Sequence, residues 1–131
     1  MNWENVRIEE VESEAGPIDP ELSVISIFDK EGCVKAAMIN FTLHPAVLVG
    51  KDWLWSKDYI NYLEEHIKEN IGSSEVLVFF ANGAEGNVNH INFRDKNQGR
   101  GFEEAKRIGE ELGRHEGRLE DIRSPRELVH G

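Results

Sequence analysis

The residues with the most chemistry to offer fall in two short stretches. In "NFTLHP" (40–45) an apolar run ends on His44, and Pro45 prevents it from continuing. A neutral imidazole is the commonest metal ligand, and a strand end is rigid enough to aim one. The plainer alternative is a core histidine bonded to a nearby carbonyl, since one histidine alone defines no site. The second stretch is "FFANGAEGNVNH" (79–90). Gly83 and Gly86 allow sharp turns that expose backbone amides, and Asn82, Asn87 and Asn89 add side-chain donors, a pattern suited to an oxyanion or a phosphate. It is not a P-loop, because no Lys-Ser/Thr pair follows and the next helix begins more than ten residues later. The alternative is a surface loop using Gly and Asn for their tolerance of positive φ. Asp52 and Asp58 lie close enough in sequence to orient His44 or to complete a metal site with it and His90. His66, His115 and His130 are assigned no role.

The elements that must position these groups follow from the hydrophobic pattern. Residues 1–16 form an acidic N-terminal arm, 17–117 an α/β segment, and 118–131 a charged tail. "LSVISIF" (22–28) and the run 33–43 flank the turn "DKEG", which predicts a β-hairpin. Ser56 is placed to cap a helix over 57–71, with Asp58 in its first turn and Ile60, Leu63, Ile67 and Ile71 on one face. "EVLVFFA" (75–81) is a continuous apolar run and predicts a strand covered on both faces. A last helix begins near Phe102, with Ala105, Ile108 and Leu112 in line. The order β-β-α-β-α contains a βαβ unit, so strands 33–43 and 75–81 run parallel and end on the same edge. His44 leaves one of those carboxyl ends and Asn82 the other, which is where open α/β sheets place ligands. The fold class is therefore α/β, a small mixed sheet with helices packed on it.

The whole chain narrows the function classes. A length of 131 residues fits one domain or a piece of a larger one. A net charge of −10 opposes binding to nucleic acid or to anionic membrane. No 18-residue apolar run exists to span a bilayer. The acidic start lacks the basic and then apolar character of a signal peptide, so a cytoplasmic location is the expectation. Cys33 stands alone, which excludes an internal disulfide and a cysteine-built zinc site.

Beyond these physical readings, four segments resemble the neutral/alkaline, non-lysosomal ceramidase family. They are "GPIDPELSVISIFDKEGCVKAAMINFTLHPAVL", "WSKDYINYLEEHI", "VLVFFANGAEGNVN" and "RGFEEAKRIGEELG", in unbroken order over about 16–116. The resemblance implies the central part of a catalytic domain that hydrolyses the amide bond of ceramide at a zinc ion. In that family two histidines, a glutamate and a tyrosine hold the zinc, and the histidine of the strand-ending His-Pro matches His44. The resemblance also implies an N-acyl, lipid-like amide as substrate. It has clear departures. The family's Gly-Asp-Val-Ser-Pro segment aligns with Gly86 to His90, so Asn89 stands where the family carries a serine described as the nucleophile. The Thr-His-Thr-His-Ser-Gly-Pro segment and the later region with the glutamate and tyrosine have no counterpart among these residues. Of the four ligands, His44 alone is assignable.

Two expectations follow. The first is a zinc amide hydrolase in which His44 is a ligand, Asp58 an outer partner of that ligand, and the amides around Gly83–Gly86, with Asn82 or Asn89, steady the oxyanion. The second is a non-catalytic binding module that keeps the fold without the activity. In either case an excerpt of a larger α/β domain leaves a sheet edge or apolar face uncovered, so a homo-oligomer or a complementing chain is expected, with Trp53 and Trp55 as parts of the contact.

Overall fold

The computed structural model describes residues 11–13, 16–48, 54–92, 95 and 97–115. Asp52, Trp53, His130, the His115 side chain, most of the expected arm and the whole expected tail lie outside the described residues. The elements run β1 (Ser23–Phe28), β2 (Val34–Phe41), α1 (Tyr59–Ile71), β3 (Leu77–Asn82) and α2 (Gly101–His115). They form a three-stranded sheet in the order β1-β2-β3, with β1 antiparallel and β3 parallel to β2. This is the small mixed α/β fold that the hydrophobic pattern predicts.

Local chemistry accounts for each joint. Asp29 makes the hairpin turn, its Oδ1 accepting from the amides of Glu31 at 3.0 Å and Cys33 at 2.8 Å. Helix α1 stops at Gly72, which takes the left-handed conformation at φ 72° and donates its amide to the Glu69 carbonyl. The start of α1 differs from the sequence expectation. Asp58, not Ser56, is the N-cap, and it holds φ 58° although it is not glycine. Ser56 serves one step further out, its Oγ accepting from the Asp58 amide at 2.9 Å.

Both helices lie on one side of the sheet. Leu63 and Ile67 from α1 close over Ile39 at the centre of β2, with Val24, Val78, Phe80 and Leu112 around them. Burying each such side chain contributes about 1.5–3 kcal/mol. A second cluster joins Val47, Tyr59, Ala105 and Ile108. The helices approach so closely that a Cβ on Gly109 would collide with the Tyr59 carbonyl and lie 2.7 Å from Tyr62 Cβ.

The other side of the sheet corrects the expectation that β3 is covered on both faces. Leu77 is 60% and Phe79 54% exposed, and across the sheet Ile25, Ile27 and Met38 are exposed as well. The apolar run in β3 belongs to an outer strand with helices on one face only. No described helix is long and apolar enough to cross a membrane.

Candidate functional site

The parallel pairing of β2 and β3 brings the two suspect stretches together. The ladder runs to Phe41 opposite Asn82 and continues one step, with the Gly83 amide donating to the Phe41 carbonyl at 2.9 Å. Glycine is required there, because a Cβ would run into the Thr42 hydroxyl. Two tight turns then fold the chain back, the Glu85 amide donating to the Gly83 carbonyl and the Val88 amide to the Glu85 carbonyl, each at 2.9 Å. They carry Glu85 under the imidazole of His44. Its Oε1 lies 3.1 Å from His44 Nδ1. The Glu85 side chain is 13% exposed and that of His44 54%, so the ring is gripped on one edge and open on the other.

The strand exit is anchored from the opposite side. Tyr59 is fully buried and donates its hydroxyl to the Leu43 carbonyl at 2.6 Å, next to His44. Burial, followed by the nearby charges of Glu85 and Asp58, raises the Tyr59 phenol well above its usual range, so it remains a proton donor at any ordinary pH. Its ring meets Phe80 edge-on at 5.9 Å. Asp58 is buried and spends both oxygens on backbone, accepting from the Tyr59 amide and the Leu48 amide at 2.8 Å each.

The expected site residues therefore separate. His44 and the Asn82–His90 loop share one edge, and the carboxylate in contact with the ring is Glu85. Asp58, expected as the outer partner of His44, is instead a backbone clamp. Gly83 does not offer its amide to a ligand, because that amide completes the ladder; Glu85's is also spent in a turn. Among the described residues the amides of Ala84, Gly86, Asn87, Asn89 and His90 have no backbone partner, and Gly86 and Asn87 are adjacent and exposed. Asn89 closes a local turn, its Oδ1 accepting from the Ile91 amide at 3.2 Å. Asn82 lies exposed at the end of β3.

His90 looks toward α2 and the start of α1. Its Nδ1 is buried without a hydrogen-bond partner, while its carbonyl accepts from Gln98 Nε2 at 2.6 Å. Desolvation holds the His90 ring below the usual histidine range, partly opposed by the charges of Asp58 and Glu104. Glu104 is buried and held in a two-point grip by Arg107, at 2.9 and 2.7 Å, which lowers its pKa. The joint metal site of His44, His90 and Asp58 does not form: among the described residues no group of three or more histidine, cysteine or acidic side chains is placed to hold a metal ion.

Glu85 escaped the sequence reading because it sits among residues chosen for turning. The one available signal was an acid two residues past Gly83 in a loop that must fold back on the neighbouring strand end.

Comparison with solved structures gives this arrangement a relative. A ceramidase complexed with C2 superposes with a TM-score of 0.63 at 24% identity, over 74% of this chain. The fold is that of a ceramidase segment. The neutral ceramidase from Pseudomonas aeruginosa superposes with a TM-score of 0.56, also at 24% identity, over 76% of this chain. In each case the ceramidase-like unit spans 16% of the longer protein. No family model and no curated protein matches the sequence.

Proposed function

We propose that this chain is the part of a ceramidase-like amide hydrolase that presents one metal-ligating histidine, His44, to an N-acyl, lipid-like amide. The observation that carries the reading is the His44–Glu85 contact of 3.1 Å at the shared carboxyl edge of β2 and β3. A proton on Nδ1, donated to Glu85, leaves the lone pair on Nε2, on the exposed edge of the ring. Metal-binding histidines are oriented by a carboxylate in this way. The amides of Gly86 and Asn87 stand on the same loop as donors for a carbonyl oxygen that gains negative charge.

The described residues do not make a complete zinc centre. His44 supplies one ligand, with Glu85 as its orienting partner, and a catalytic zinc takes three protein ligands. The zinc reading therefore reaches this chain through His44, and the remaining ligands belong elsewhere. Incubation of the 131-residue chain with a short N-acyl amide, with and without zinc, should give negligible turnover. Strong turnover that survives His44→Ala would overturn the assignment.

A second reading, a non-catalytic binding module, is favoured by Asn89. It lacks the hydroxyl of the serine that the resembling family carries there, and its oxygen is committed to a turn. Amide-ligand binding that is indifferent to zinc and to His44→Ala would support this reading over the first.

A further inference from the structure

Among the described residues three contacts fix where His44 stands, and one of them comes from α1. The ladder between β2 and β3 ends at Phe41, whose carbonyl takes the Gly83 amide, so Leu43 and His44 lie past the last sheet bond. The His44 carbonyl accepts from the Ala46 amide at 2.8 Å, and the ring meets Glu85 Oε1 at 3.1 Å. On the near side the Leu43 carbonyl accepts from the Tyr59 hydroxyl at 2.6 Å. That carbonyl and the His44 amide belong to one planar peptide unit, so holding the first orients the backbone that carries the imidazole. We infer that Tyr59 is a positioning residue for His44, its hydroxyl fixing the exit of β2 so that the ring meets Glu85 with its other edge open; the inference rests on the function proposed above.

A buried phenol needs a reason. Tyr59 is fully buried in the cluster with Val47, Ala105 and Ile108, where phenylalanine would fill the ring's space with no polar atom to desolvate. Its own place is held from several directions. Asp58 Oδ1 accepts from its amide at 2.8 Å, and Phe80 meets its ring edge-on at 5.9 Å. Helix α2 lies so near that a Cβ on Gly109 would strike the Tyr59 carbonyl. A side chain locked by packing and by backbone bonds spends its one polar group on the peptide that precedes His44. That is how a supporting residue holds a functional group in place. A hydroxyl that only satisfied a core carbonyl and one that positions His44 differ in what their loss moves. Losing the first lowers stability alone, whereas losing the second also lets the ring leave Glu85 while the fold remains.

Long-range 1H–15N correlation spectra of the His44 ring test this in the 131-residue chain, with Tyr59→Phe set against Asn40→Ala. Asn40→Ala is the control because it too removes one side-chain bond to a backbone carbonyl, from Asn40 Nδ2 to Ala81 at 2.9 Å, on the same strand. Without zinc, Tyr59→Phe should keep the far-UV circular dichroism of the parent chain but replace the single Nδ1-protonated ring by an exchange-broadened mixture. Asn40→Ala should leave the ring spectrum unchanged. With zinc, the dissociation constant read at His44 Nε2 should rise about threefold in Tyr59→Phe, less than the ~10–100-fold that removal of a ligand's direct partner costs. A ring spectrum unchanged in Tyr59→Phe would overturn the inference, and so would an equal change in Asn40→Ala. Loss of the folded state in Tyr59→Phe would overturn it too, since the hydroxyl would then hold the whole domain and not His44. The proposed function fails by a different route, if Nε2 of the parent chain ignores zinc, and the zinc-free comparison still decides the role of Tyr59.

Discussion

Two carboxylates flank the exit of β2, and they are used in opposite ways. On the Asp58 side every polar atom is engaged: both carboxylate oxygens accept backbone amides, and the Tyr59 hydroxyl holds the Leu43 carbonyl. On the loop side Glu85 gives one oxygen to His44, while its Oε2 and the Nδ1 of His90 are buried with no partner. Folded chains satisfy nearly all buried polar groups, because an orphan costs about 1–3 kcal/mol. A scaffold with no unsatisfied atoms beside a loop with two is the pattern of a rigid base holding groups whose partners come from outside.

That contrast breaks most readily at Asp58. Asp58→Ala removes the helix cap and orphans the Leu48 amide, and should cost about 2–4 kcal/mol in denaturant unfolding. The same scaffold fails next at Gly109→Ala, where the new Cβ meets the Tyr59 carbonyl; about 1–3 kcal/mol is expected from overpacking. On the loop side the costs should be smaller and the local changes more specific. Glu85→Gln should cost less than about 1 kcal/mol, since a polar partner for the ring remains. It should nevertheless release the His44 ring, visible as broadened imidazole resonances. If Glu85→Gln proves as destabilising as Asp58→Ala, the division into scaffold and recognition loop is wrong.

The smallest effect concerns pH. Burial depresses the folded-state pKa of His90 from its reference of 6.5. As pH falls through that reference the unfolded chain takes up a proton that the folded chain refuses. The contribution of His90 is therefore whole above about 6.5 and drains away below it, toward the depressed folded value. A plot of unfolding free energy against pH should slope downward on acidification in that window, and His90→Gln should flatten it.

Much of this architecture is legible in the amino-acid order. The helical spacing of Leu63 and Ile67 and the apolar runs flanking the Asp29 turn decide the elements, and the βαβ order alone brings His44 and Asn82 to one edge. What stays hidden depends on side-chain geometry across the fold. Ser56 and Asp58 are equally good caps by composition, and the choice falls on Asp58 because its second oxygen can also reach the Leu48 amide. Glu85 is indistinguishable from a solvated turn residue until the Gly83 and Glu85 turns place it against His44. The apolar run of β3 reads as buried on both faces because composition does not say whether a layer packs on one side of a strand or on both.

The central claim is that Glu85 fixes the His44 ring with its proton on Nδ1, leaving Nε2 free for a ligand. Long-range 1H–15N correlation spectra of the imidazole, recorded while zinc is added, measure both parts at once. The Nδ1-protonated tautomer is predicted, with a weak zinc-induced shift confined to Nε2 of His44 and reduced in Glu85→Gln. An Nε2-protonated ring, or one whose nitrogens ignore zinc while other histidines respond, would contradict the account.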